Sequence, residues 1–343
     1  MIEIDGSYGE GGGQILRTSL SLSCLFNRPF RIFNIRKNRP KPGLMPQHLT
    51  SVKAAQMISD AEMTGGQIGS TELTFSPREV KSGSFTFDVG TAGSTALIMQ
   101  TLLPALIFSQ EKATITLRGG THVPFSPSFH YLDGIFIPWL KRLGMEVRLS
   151  IEAYGFYPKG GGVIAAEIFP AGEIEPLRVT ERGKVIGVYG YSGVGNLPLT
   201  IAERQRRGCV ERIESSYPGK FPIDIELQEV PTPGQGTFIF LGAEAERVRA
   251  GFTGIGERGK RAEIVGEEAA NEFLDYYAAD AALDPHLPDQ LVLYLSMCRE
   301  SSEFTTSRIT QHLLTNLWAI GRFHKFDYAV EGEIGRSGKV KVN

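Results

Sequence analysis

Apolar positions along the chain alternate between two periods, and the switches between them outline its elements. MIEIDG alternates apolar and polar residues and predicts a strand. After a run of glycines, QILRTSLSLSCLF predicts a helix, with Ile15, Leu16 and Leu20 on one face. The strand FRIFNI, the helix MPQHLTSVKAAQMI and two short strands around AEMTGG and ELTFSP follow. Together they make a β-α-β-α-β-β unit of about 80 residues.

The same rhythm recurs. SFTFDVG, GSTALIMQTLLPALIF, ATITLRGG, SPSFHYLDGIFIPWLKRL, MEVRLSIE and GGVIAAEIFP give strand, helix, strand, helix and two closing strands. A third unit is split. EPLRVTER supplies its first strand, DQLVLYLSMC and TQHLLTNLWAIGRF its helices, with EFTTS between them, and FDYAVEGEIG and GKVKVN close it. The stretch between has a different order: strand KVIGVYGYSG, helix LTIAERQRRGCVERIESS, strands IDIELQEV and TFIFLGAE, helix AEIVGEEAANEFLDYYAA. The expected architecture is α+β: three β-α-β-α-β-β repeats in a large domain, residues 1–182 and 280–343, with a smaller α/β domain, 183–279, inserted in the third.

Composition narrows the class. The chain has 343 residues, 41% of them hydrophobic and 22% charged, as expected of a water-soluble globular protein of two domains. No apolar run reaches the roughly 18 residues of a membrane span. MIEIDGSYGEGGG has neither the basic lead nor the apolar stretch of a secretory signal. Cys24, Cys209 and Cys298 are scattered and odd in number, which argues against a disulfide framework or zinc site and for a reducing compartment, simplest read as cytoplasm. A net charge of −2 shows no global affinity for nucleic acid. Two local runs, Arg36-Lys37-Arg39-Lys41 and Arg204-Arg206-Arg207, read as solvated faces or as contacts to the end of an RNA.

Several stretches carry candidate chemistry. GEGGGQILR, Gly9 to Arg17, has glycines that permit unusual backbone angles and close approach of a ligand, and the helix behind them aims free N–H groups forward. It lacks the spacing of a Walker loop or a dinucleotide fingerprint, so a tight turn and a phosphate site both remain open. In NRPKPGLMPQHLT, prolines stiffen a loop from which Arg39 and Lys41 project, with Gln47 and His48 opening the next helix; the loop is either a basic surface or a phosphate contact. Gln100 interrupts an apolar helix and needs partners, from the core or from a ligand. Asp289, in HLPDQL, suits a helix cap. His122, His130 and His324 have no companions at metal-ligand spacing and read as structural or surface residues.

His312, in ITQHLLTNL, falls in the first turns of a predicted helix. There the positive helix end favours a neutral imidazole, a competent nucleophile near pH 7. A lone histidine on a partly apolar helix is more often structural, and local sequence alone favours that reading.

The combined motifs reach further. GEGGGQILR, RPKPGL followed by QHL, the glycine turn VGTAGSTALIMQ leading to Gln100, GFYPKGGG, DQLVLYL and HLLTN occur in order through nearly the whole chain, and together they resemble the RNA 3′-terminal phosphate cyclases. That family's fold is three β-α-β-α-β-β units, each like the C-terminal domain of translation initiation factor 3, with an α/β insert in the last. The resemblance implies an enzyme that uses ATP and an RNA with a 3′-phosphate end. His312 would attack the α-phosphorus of ATP and form a histidine–AMP phosphoramidate. AMP would pass to the RNA 3′-phosphate, giving RNA(3′)pp(5′)A, and the 2′-hydroxyl would then close a 2′,3′-cyclic phosphate. By position, Gln100 and the loop His286, Leu287, Pro288, Asp289, Gln290 would form the ATP site, with Asp289 orienting His312 or contacting the nucleotide. Pro127 and Tyr131 would pack the adenine. Arg17, Arg39 and Gln47 would meet phosphates, and Glu10 would bind a divalent cation, Mg²⁺ or Mn²⁺.

Two rival readings compete with this one. A non-catalytic, RNA-binding ribosome-assembly relative of the same fold lacks the nucleophile, whereas His312 stands here within HLLTN. Enolpyruvyl transferases use six related units without the insert, which this chain is too short to supply.

Overall fold

The computed structural model describes Met1–Asn343. Strand β1 (Ile2–Asp5), helix α1 (Gln14–Phe26), β2 (Phe30–Phe33), α2 (Pro46–Ser59), β3 (Glu62–Thr64) and β4 (Leu73–Ser76) come first. Their sheet has the order β1-β2-β4-β3, with β1 and β2 parallel and the other pairs antiparallel. Next come β5 (Gly83–Asp88), α3 (Thr95–Ile107), β6 (Ala113–Gly119), a helix from Phe129 to Arg142, β7 (Val147–Ala153) and β8 (Gly162–Ile168). The second sheet runs β5-β6-β8-β7 with the same parallel and antiparallel pattern.

The helix after β6 is not regular. It begins as α4 (Phe129–Tyr131), widens to a π turn at Leu132–Phe136 and resumes as α5 (Ile137–Arg142). Pro138 explains the widening: it has no N–H to donate to the carbonyl one turn back, so the ladder must be rearranged before it.

β9 (Arg178–Val179) pairs with β14 (Ser302–Thr306), and β15 (Tyr328–Gly332) and β16 (Gly338–Val342) complete a sheet of order β15-β16-β14-β9. Only Arg178 and Val179 of the expected strand EPLRVTER join this ladder. Between β9 and β14 lie β10 (Val185–Gly195), α6 (Thr200–Ser216), β11 (Ile223–Glu229), β12 (Gly236–Ala245), β13 (Arg249–Ile255) and α7 (Ala262–Ala279), then α8 (Leu287–Leu295). Helix α9 (Gln311–Phe323) follows β14. The fourth sheet runs β11-β10-β12-β13. β13 is a strand that apolar periodicity does not predict: RAGFTGI is interrupted by two glycines and lacks the alternation that marks β1.

Both faces of β12 are covered, which is why TFIFLGAE reads as a continuous apolar run. Ile239, Leu241 and Ala243 join an apolar cluster under α6 and α7, with Phe252 and Phe273. Phe238 and Phe240 join the large core shared by the other three sheets. In that large core α1 packs against α2, α3 and α9, and α8 against α9. No helix is long and apolar enough to cross a membrane.

Candidate active site

Helices α1, α3, α8 and α9 border one cleft with a cavity volume of about 490 Å³. Local sequence chemistry fixes the ends that meet there. Thr310 caps α9, its hydroxyl accepting from the Leu313 N–H at 3.1 Å, so His312 is the second helical residue. α8 opens on Leu287 and Pro288, both buried, and proline suits a first turn because its missing N–H would be unpaired there anyway. Asp284 prepares that turn: its Oδ1 accepts from the N–H groups of His286 (2.9 Å) and Leu287 (3.0 Å). α1 starts directly behind the glycine turn, where Gly9 and Gly11 take φ values of +60° and +58°.

Hydrogen bonds among α1, α8 and α9 lock these ends together. The Thr18 hydroxyl donates to Asn316 Oδ1 at 2.7 Å, and Asn316 Nδ2 donates to the Asp289 carbonyl at 2.6 Å. Gln14 Nε2 donates to the His312 carbonyl at 3.0 Å and reaches Asp289 Oδ2 at 3.5 Å. The amide oxygen of Gln14 pairs with His312 Nδ1. With its N–H₂ group already donating, Gln14 can only accept at that oxygen, so Nδ1 carries the proton. His312 Nε2 is then the free, basic nitrogen, and it lies 3.3 Å from Glu10 Oε2.

The cleft brings together Arg17, Gln100, Pro127, Tyr131, His286, Asp289, Gln290 and His312 from the sequence expectations. Gln100 Nε2 donates to Gln290 Oε1 at 2.6 Å, and Gln290 Nε2 donates to the His286 carbonyl at 2.9 Å. Gln100 thus has a protein partner while still facing the cavity. Tyr131 is buried at the cleft wall, its hydroxyl donating to Asp284 at 2.9 Å. Glu10 and Arg39 stand outside the cleft, beside His312: Arg39 Nη2 lies 3.6 Å from Glu10 Oε2. Gln47 does not line the cleft; its Oε1 accepts from the Ser94 N–H at 3.4 Å. Asp289 makes no hydrogen bond to the His312 ring. The residue that holds the ring is Gln14, for which the sequence reading gave no role although it stands inside the quoted glycine motif. Asp284 was missed as well; its only sequence signal is an acidic residue two before the helix-opening histidine.

Electrostatics follow from partial burial under several cations. Burial pushes the Asp289 carboxyl up to about 7, assisted by Asp284 and opposed by His286 and Arg17. Burial lowers Arg17 to about 10, with Asp289 opposing, so it stays charged at neutral pH. Burial lowers His312; Glu10 pulls against that, and Arg17, His286 and Arg39 push the same way as burial. His286 is raised: burial alone would depress it, but Glu272, Asp284 and Asp289 outweigh that. His48 is pushed down to about 3 by burial and by Arg17 and Arg36, and its Nδ1 accepts from the Met45 N–H at 3.2 Å. It is a neutral helix-capping group.

Of the basic runs, Arg36 closes its own loop by donating to the Lys41 and Gly43 carbonyls at 2.6 and 3.0 Å. Arg204 pairs with both oxygens of Glu263 at 2.8 and 2.9 Å, and Arg207 approaches the same carboxylate at 3.6 Å. That patch joins α6 to α7. No group of three or more His, Cys, Asp or Glu side chains is arranged to hold a metal.

A nucleophilic nitrogen with its tautomer fixed, beside a carboxylate and two arginines at the mouth of a nucleotide-sized cleft, can take up and pass on a phosphoryl-linked group. The family model for RNA 3′-terminal phosphate cyclase matches residues 8–330. The chain belongs to that family. Its relatives named RNA 3′-terminal phosphate cyclase include one from Sulfolobus acidocaldarius, 46% identical over 97% of each chain. One from Thermococcus kodakarensis is 42% identical over 99% of this chain and 98% of its own. One from Pyrococcus furiosus is 40% identical over 100% of this chain and 98% of its own. As a cyclase-family chain it carries both the HLLTN histidine and the glutamine that fixes its ring.

Proposed function

We propose that the chain converts the 3′-terminal phosphate of an RNA to a 2′,3′-cyclic phosphate, using ATP. The observation that carries this reading is the state of His312, one ring nitrogen held by Gln14 and the other free beside Glu10. The free Nε2 lone pair attacks the α-phosphorus of ATP; the N–P bond forms as the bond to the bridging oxygen breaks and pyrophosphate leaves. An oxygen of the RNA 3′-phosphate then attacks the same phosphorus and the N–P bond breaks, giving RNA(3′)pp(5′)A. In the third step the 2′-hydroxyl oxygen attacks the 3′-phosphorus, AMP leaves, and the hydroxyl proton is lost. That last closure is intramolecular, so proximity supplies much of its rate, with effective molarities reaching ~10⁵ M in well-oriented cases.

Gln100, Pro127, Tyr131 and the His286–Gln290 turn serve the nucleotide, Tyr131 and Pro127 offering flat apolar surface to adenine. Arg17 and Arg39 neutralise phosphate charge. Gln47 lies farther out and acts on the RNA end or through Ser94. Glu10 is the carboxylate that fits a divalent cation, Mg²⁺ or Mn²⁺. It stands alone, so such an ion would complete its shell with water and phosphate oxygens, as magnesium commonly does. When bound, the ion would supply charge neutralisation at the phosphates.

We read the chain as three β-α-β-α-β-β repeats in a large domain, 1–182 and 280–343, with a smaller domain, 183–279, inserted in the third. The strand order shared by three sheets, and the separate apolar cluster under α6 and α7, support this division. Buried free thiols at Cys24, Cys209 and Cys298 fit a reducing compartment, the cytoplasm in our reading. A non-catalytic RNA-binding role would leave the fixed His312 tautomer without a purpose.

The test uses ATP labelled on the α-phosphate, a divalent cation and an RNA ending in a 3′-phosphate. The protein should acquire an acid-labile, alkali-stable label, and the RNA end should become phosphatase-resistant. An unlabelled protein with an unchanged RNA end would favour the binding-protein reading.

A further inference from the structure

The glycine turn does more than approach His312. Residues 8 to 10 run along one face of α9. Tyr8 lies on Trp318, ring centroids 4.0 Å apart and planes 13° from parallel. A side chain at Gly9 would run into Thr315 and Gln311. Glu10 meets His312. With a rise of about 1.5 Å per residue, Trp318 stands roughly 9 Å along the helix from His312.

Stacking covers one face of the Tyr8 ring, yet Tyr8 remains 43% exposed. The uncovered face of the pair points to solvent, next to the nucleophile and outside the cleft assigned to ATP. Three cations stand at its margins, each beside an acidic residue: Arg39 by Glu10, the exposed Lys37 near Asp5, and Arg322 one turn beyond Trp318, its Nη2 donating to the Glu3 carbonyl at 3.4 Å. An exposed aromatic face flanked by cations fits single-stranded nucleic acid, whose bases stack on aromatic rings and whose phosphates take the charge.

We propose that the Tyr8–Trp318 pair is a stacking platform for a base just upstream of the RNA 3′ end, an assignment that rests on the cyclase reading of His312. The spacing sets the position. At roughly 3.4 Å per stacked nucleotide, an axial separation of about 9 Å sets the second or third nucleotide from the end as the nearest that could reach it. The platform holds the strand so that its terminal phosphate reaches the phosphorus carried on Nε2, and it is indifferent to base identity because every base has a stacking face.

The test compares oligonucleotides ending in 3′-phosphate, either intact or with one abasic position, binding to the unliganded full chain. Trp318 fluorescence reports the contact directly, since Trp139, the other tryptophan, is buried. Intact RNA should quench it, and an abasic site at the second or third position should weaken binding about tenfold. An abasic site ten nucleotides upstream should change nothing. Tyr8→Ala should raise the KM for RNA about tenfold, leave enzyme–AMP formation from ATP unchanged, and abolish the difference between intact and abasic RNA. Equal binding of intact and abasic RNA by the wild-type chain would overturn the platform. Because binding is read without ATP, that result is separate from a failure of the His312 chemistry, which would appear as an unlabelled protein.

Discussion

Two regions of the molecule each set histidine among aromatic and helical neighbours, and they treat it in opposite ways. His122 and His130 sit where the second sheet meets β12. His122 is fully buried, its ring 4.2 Å from Phe238 and stacked 5.1 Å from Tyr154. Its Nδ1 pairs with the Thr121 hydroxyl at 2.9 Å, and its buried Nε2 has no partner. Burial pushes His122 well below the ordinary histidine range and His130 to about 4. His312 also has one nitrogen engaged and one free, but its side chain is 47% exposed and the free nitrogen faces a carboxylate at the mouth of a cleft. A free imidazole nitrogen is useful only where a phosphorus atom can reach it. The difference lies in access and second contacts, since burial lowers the imidazoles of both regions.

The comparison breaks most sharply at His312 itself. His312→Ala should lower enzyme–AMP formation by at least about 10³-fold, measured with α-labelled ATP, because the attacking atom is gone. Gln14→Ala should come next, with a loss of roughly 10- to 100-fold, as a ring whose tautomer and orientation are no longer held spends less time in the attacking geometry. Nucleotide binding, followed by equilibrium titration, should change little. Equal loss of binding would mean that Gln14 contacts the nucleotide rather than the ring.

Proton linkage sharpens the contrast further. With burial lowering His312, labelling should decline at a more acidic pH than an ordinary histidine would set. Asp289 must be removed from the profile, since its carboxyl titrates near 7; Asp289→Asn provides that background. The same variant tests stability. A carboxyl raised from its unfolded value of about 3.8 to about 7 contributes stability that is present below pH 4 and lost as pH rises through 7. Asp289→Asn should therefore be more stable than wild type above pH 7, by about 1–2 kcal/mol after allowing for its partial exposure, and nearly equal at pH 4. Thermal melts at the two pH values read this. The smallest effect belongs to the other region: His122→Phe should label at the wild-type rate and shift stability by no more than about 1 kcal/mol, because only the Thr121 contact is lost.

How far the sequence could be read depended on how far apart the partners are. Helix α9 and the place of His312 follow from local periodicity, and α1 from the glycine run before it. α8 starts at Leu287, ahead of the expected DQLVLYLSMC, so Asp289 lies inside its first turn rather than at its cap. Gln14 was invisible as a ring holder because its partners lie 298 residues away in the chain. Asp284 gathers Tyr131 from 153 residues away for the same reason. Asn316, one turn from His312, ties α9 to α1 and α8 through Thr18 and the Asp289 carbonyl, partners far away in the chain. β13 was missed because its apolar positions are separated by glycines that matter only through what packs on them, Ile135 and Tyr131 against Gly251. The arginines at 204 and 207 read as a solvated patch until Glu263 was brought beside them by the packing of α6 on α7.

The central claim is that His312 Nε2 carries the AMP. The most direct measurement is mass spectrometry of the chain after incubation with ATP and a divalent cation, with proteolysis under alkaline conditions that preserve a phosphoramidate. The account predicts one peptide heavier by AMP, containing His312, that loses the group in acid. An acid-stable adduct, or one mapped to a lysine or to any other histidine, would contradict it.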